Sequence, residues 1–169
     1  MAGEKFLHTD GLGGLIEKES VQEGGTAKAG KIVALTAAGV LHNTMMPTGI
    51  GPDTANLVAG EALASGDFVN VYEDGGAIKI RKADATTAGK PANGFILASV
   101  AADATGLVYF DGNNSSVTGA TPGPVYLSTT PGAFSSNLPT ATGNMVQPIG
   151  FTTAANIVNF QPGMRVVLS

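Results

Sequence analysis

The chain contains no cysteine, so it has no disulfide framework, no thiolate metal site and no thiol nucleophile. It also lacks tryptophan and has three tyrosines. That weakens a glycan-binding reading, because sugar sites usually set an aromatic platform beside polar groups. Charged residues are 13% of the chain, about half the usual share. With a net charge of −4 there is no basic surface for phosphates, so nucleic acid is not an expected partner. No apolar run approaches the roughly 18 residues of a spanning helix, so no membrane partner is expected either. The opening MAGEKFLHTD lacks the basic start and apolar stretch of a secretory signal. The expectation is a soluble protein made in a cytoplasm.

The familiar catalytic patterns are missing or broken. GTAKAGKI, Gly25 to Ile32, has the glycine-lysine spacing of a phosphate loop. Ile32 stands where the magnesium-binding hydroxyl belongs, and the run VALT after it reads as a strand rather than a helix. GLGGL, Leu12 among three glycines, lacks both the preceding strand and the third glycine of a dinucleotide fingerprint. His8 and His42 are the only histidines, too few for a three-ligand zinc site. No Gly-x-Ser-x-Gly elbow occurs. Glu73 and Asp74 are adjacent, which on a strand points them to opposite sides, and they read as hairpin residues. Asp111 to Ser116, DGNNSS, is oxygen-rich but lacks a downstream bidentate glutamate, and reads as a polar surface loop. No enzyme, cofactor or metal is expected.

What the sequence has in quantity is glycine, 24 residues, about twice the average share. Val, Thr, Ile, Tyr and Phe occur in short bursts between Gly, Pro, Asn and Asp, an all-β composition. The glycines recur at an interval. GKIVALTAAGVL, GDFVNVYEDGGAI and GPVYLSTTPGAF each place a second glycine nine residues after the first: Gly30 and Gly39, Gly66 and Gly75, Gly123 and Gly132. Each interval is one strand and its tight return. Gly75-Gly76 after Asp74 predicts a hairpin turn, since positive φ is cheap for glycine. Pro131-Gly132 fits the centre of a type II turn.

A second phrase comes after the latter two. Gly94-Phe95 and Gly150-Phe151 are each succeeded by small residues and an alternating run, GLVYF or NIVNF. The repeats span about 60–112 and 119–169, and TMMPTGIGPDTAN reads as a loop after a truncated first copy. The predicted fold is all-β: a compact barrel or sandwich built from repeated hairpin units, over residues 23–169. Residues 1–22 form an extended N-terminal arm, in which LIEKES is a candidate helical turn.

Two features point to a covered surface. The arm carries Phe6, Leu7, Leu12, Leu15 and Ile16, which glycine-interrupted chain cannot bury alone. Met45, Met46 and Ile50 lie in the long apolar loop, and methionine suits adaptable contacts. The charge distribution agrees. Residues 1–90 carry 8 basic and 11 acidic side chains, whereas 91–169 carry only Asp103, Asp111 and Arg165. A charge-poor half matches a subunit interface. These eight apolar residues are the candidate contacts to a capsid or a neighbouring subunit.

ALASGDFVNVYEDGGAIKIRKA and GPVYLSTTPGAFSSNLPTATGNMVQPIGFTTAANIVNF resemble tailed-bacteriophage capsid decoration (cement) and head-fibre proteins, over roughly residues 58–169. The resemblance is one of phrasing and carries no catalytic residue. It implies a virion structural protein, a homotrimer on the outside of an icosahedral capsid, with the major capsid protein as partner. The alternative it leaves open is a trimeric fibre module that binds a host receptor or glycan.

Overall fold

A computed structural model describes residues 5–46 and 53–169 of the chain. The chain divides after Gly51 into two compact units.

In the first unit, β1 (Lys5–Thr9) and β2 (Leu15–Glu19) form an antiparallel hairpin. The expected arm is therefore folded back on itself, and LIEKES supplies a strand rather than a helical turn. The return is made by Asp10, whose carboxylate Oδ1 accepts the amides of Leu12 at 2.7 Å and Gly14 at 2.9 Å. Gly11 and Gly13 take positive φ of 81° and 95°, conformations that side-chain-bearing residues avoid. GKIVALTAAGVL does not become a hairpin. Its turn forms, with the Thr36 N–H bonded to the Val40 carbonyl at 2.8 Å, but beyond it only an isolated bridge joins Val33 to Val21. Ile32, Val33 and Leu35 stay exposed. Short 3₁₀ turns at Gly25–Lys28 and Asn43–Met45 complete this unit.

The second unit contains two five-stranded modules. The first comprises β3 (Thr54–Ala59), β4 (Phe68–Asp74), β5 (Ala77–Lys82), β6 (Gly94–Ile96) and β7 (Thr105–Tyr109), closed into a barrel in the order β3-β5-β4-β6-β7. The second comprises β8 (Gly112–Asn114), β9 (Gly123–Leu127), β10 (Phe134–Ser135), β12 (Pro148–Ala154) and β13 (Ile157–Phe160), in an open sheet ordered β10-β9-β12-β13-β8. Between β10 and β12 in sequence, β11 (Met145–Val146) pairs with the final β14 (Val166–Val167) in a separate ribbon.

The two orders are the same, and so are the registers. Val69 faces Gly94 as Val125 faces Gly150. Ile96 faces Val108 as Thr152 faces Val158. Val71 faces Ile80 as Leu127 faces Phe134, and Ala55 faces Val108 as Asn114 faces Val158. The structural repeat thus begins with β3, whose first three residues the sequence assigned to a loop, and with β8, which it assigned to one entirely.

Strand alternation builds two cores. Val69, Ile80, Ile96 and Val108 point into the barrel, with Ala59, Leu63 and Val100. Their neighbours Phe68 and Phe95 point outward, and they cluster with Val125, Leu127, Ile149, Val158 and Phe160 of the second module. The Phe160 ring lies 5.7 Å from both Phe68 and Phe95, centroid to centroid, within the range of favourable aromatic pairs. The barrel's outer face is therefore the lid of the open sheet.

Candidate functional site

The register of β1 and β2 sorts the expected arm contacts onto two faces. Directly opposed residues share a face and diagonal neighbours lie within side-chain reach. Leu7, opposite Glu17, and Leu15, opposite Thr9, lie on one face; Phe6, opposite Lys18, and Ile16, opposite His8, lie on the other. Leu12 sits at the tip of the turn, 93% exposed. Leu7 and Leu15 are 68% and 69% exposed, Ile16 is exposed, and Phe6 is half-buried. Both faces of this hairpin therefore show apolar side chains. The Lys5 to Glu17 ion pair, 2.8 Å, stands at its open end.

Met45 and Met46 lie at the Asn43–Met45 turn, both half-buried. Ile50 falls outside the described residues. His42 joins a local cluster. The Thr44 hydroxyl lies 2.8 Å from His42 Nδ1, and the Thr44 N–H approaches the same nitrogen at 3.3 Å. With Nδ1 accepting, the Nε2 proton faces the Glu23 carboxylate, 3.6 Å away. Thr44 Oγ1 in turn accepts the Gly24 amide at 3.0 Å. The cluster ties residues 23–24 to 42–44 beside a cavity of about 430 Å³ that Lys28 also lines. His8 lies on the hairpin, opposite Ile16. Among the described residues no group of three or more His, Asp or Glu could hold a metal ion, and no helix is long and apolar enough to cross a membrane.

Sequence reasoning missed a recess of the second unit. A groove of about 460 Å³ runs between residues 116–119, which follow β8, and residues 132–137 around β10, with Ser65–Asp67 as its floor. Gly66 lies so close to the Ser116 carbonyl that no side chain could fit there, and its own carbonyl accepts a hydrogen bond from the buried Asn114 side-chain Nδ2 at 2.9 Å. The Phe68 amide bonds to the Gly132 carbonyl at 2.8 Å. Among the described residues of the lining, Asp67 alone is charged. It is already engaged by the Ala64 amide at 2.8 Å and the Lys82 ammonium at 3.4 Å. Ser65, Ser116, Thr118, Ser135 and Asn137 supply uncharged polar groups. Such a lining can hydrogen-bond a neutral ligand or a polypeptide backbone, and it offers no acid, base or nucleophile pair.

Comparison of the chain with family models, with curated proteins and with solved structures finds no match.

Proposed function

We propose that this protein is a virion structural protein that binds the outer surface of an icosahedral phage capsid and reinforces or decorates it. In this reading it acts as a homotrimer, its partner is the major capsid protein, and it carries out no chemistry. The observation that carries the reading is the β1-β2 hairpin with Leu7 and Leu15 on one face and Phe6 and Ile16 on the other. An isolated two-stranded hairpin is marginal in water, and burying each such leucine fully against a partner contributes about 1.5–3 kcal/mol. The element has most to gain when another surface covers it. The charge-poor stretch from residue 91 onward and the phrasing of residues 58–169 support the same reading.

Decoration then acts by linkage. A ligand that binds only the assembled shell stabilises that state by mass action. The test is binding of the purified chain to undecorated shells, with and without residues 1–22. Tight binding that falls at least tenfold on deletion is expected. Unchanged affinity removes the hairpin from the mechanism, and absence of binding by the full chain removes the proposal. Binding to host cells instead of shells would favour the receptor or glycan module.

A further inference from the structure

The two modules share strand order and register but differ at one place. In the first, β3 closes the barrel by running parallel to β5, with Val58 opposite Lys79 and Ala59 opposite Ile80. Just beyond, the Gly60 N–H donates to the Ile80 carbonyl at 2.8 Å. By the register equivalences above, the counterparts in the second module are Val117 and Thr118 against Ala133 and Phe134. Those segments do not pair. β8 ends at Asn114, β10 is only Phe134–Ser135, and no backbone hydrogen bond joins 115–119 to 133–137, all of them described residues. The groove of about 460 Å³ lies in this gap. The recess is the unclosed seam of a second barrel.

The seam exposes a strand edge. Leu127 gives its amide to the Gln147 carbonyl, on the side away from β10. The Phe134–Leu127 pair is therefore of the non-hydrogen-bonded kind, and the Phe134 N–H and C=O face the gap, as the Ile80 carbonyl faces Gly60. Unpaired edges are templates for an added strand.

We propose that this seam is an acceptor site for one extended, uncharged polypeptide segment of a partner protein, which runs parallel to β10 as β3 runs parallel to β5. The sister seam supplies the template for the occupant: small apolar residues, Val58 and Ala59, at the closing positions. The lining agrees, since its single carboxylate is already paired and a charged strand would find no counter-ion. The inference deepens the proposed capsid-surface role by naming a second contact besides the hairpin.

The probe is the chain's own closing strand as a capped peptide, Thr54 to Gly60, TANLVAG. It is titrated into the ¹⁵N-labelled full-length protein. Saturable amide shifts confined to residues 116–119 and 132–137 and to the groove floor are expected. Binding should weaken at least tenfold with Thr118→Arg, an exposed position where arginine leaves both cores intact, and equally when the peptide carries Val58→Glu. No saturable shift, shifts elsewhere, or indifference to Thr118→Arg would overturn the proposal. So would seam shifts produced by a neutral oligosaccharide but not by the peptide. Shell binding is measured separately on the same variants. Peptide binding without shell binding would retain the seam and remove the decoration role; shell binding indifferent to Thr118→Arg, with no peptide binding, would do the reverse.

Discussion

Gln147 clasps the backbone of Ala92. Its side-chain oxygen accepts the Ala92 amide at 2.8 Å and its side-chain nitrogen donates to the Ala92 carbonyl at 2.9 Å. Both residues are buried, and the side chain supplies the donor and acceptor that a neighbouring strand would otherwise give. The clasp joins the barrel's loop before β6 to the segment between β11 and β12. Gln147→Ala leaves two buried backbone groups without partners, at about 1–3 kcal/mol each. We expect a loss of about 2 kcal/mol or more in denaturant unfolding. Gln147→Glu should cost at least as much, because a buried carboxylate cannot donate to the Ala92 carbonyl. Wild-type stability in both variants would show that the clasp adds nothing.

Gly94 and Gly150 occupy equivalent register positions, and neither tolerates a methyl group. A Cβ on Gly94 would lie 2.6 Å from the Tyr109 carbonyl oxygen, and one on Gly150 would overlap the Asn159 carbonyl oxygen, at a φ of 137°. Alanine at either position forces the paired strands apart, an overpacking of about 1–3 kcal/mol. Gly75 is the contrast: it has open space around it and a φ of 61°, so alanine there strains only a solvent-facing turn. Thermal melts should rank Gly75→Ala above both others.

The hairpin faces can be told apart. Leu7→Ser with Leu15→Ser removes one apolar face, and Phe6→Ser with Ile16→Ser removes the other. If one face docks on the shell, one pair should lower shell affinity at least tenfold while the other changes it less. Equal, negligible effects would exclude the hairpin as a contact.

Lys79 has a pKa raised above its ordinary 10.5, first by its hydrogen bond to Asp74 and then by the charge of the same carboxylate. The two groups are 2.8 Å apart. A raised value in the folded state means the pair's contribution is complete below the unfolded pKa and is lost as pH climbs through the folded one. Stability at neutral pH should therefore be insensitive to this titration, with any loss appearing above pH 10.5. Side-chain NMR of Lys79 should show its midpoint fall toward the ordinary value in Asp74→Asn. An unchanged midpoint would exclude Asp74 as the cause.

Much of the strand content was legible because local chemistry and final structure agree. Asp74-Gly75-Gly76 demanded a tight turn, and β4 and β5 pair across it. The alternation in GLVYF and NIVNF became β7 and β13, with Val108 and Val158 turned inward. β8 was illegible because Gly112, Asn113 and Asn114 have little strand preference of their own; they are strand because β13 lies beside them. The start of β3 was lost against an apparent loop. KIVAL failed the other way, with good strand residues that meet no ladder. The hairpin's apolar residues could be named from composition, but their division between faces depends on register. The seam could not be found at all, since it is a missing pairing between residues far apart in the chain.

The barrel's strands all lie between Thr54 and Tyr109, with none borrowed from later sequence. Every one of them therefore leaves the ribosome before β8 emerges, so all of the barrel's pairings are available to form before those of the second module. Nascent chains halted after the barrel has cleared the exit tunnel should resist protease across residues 54–109, so the later half would assemble on a finished surface instead of searching for one.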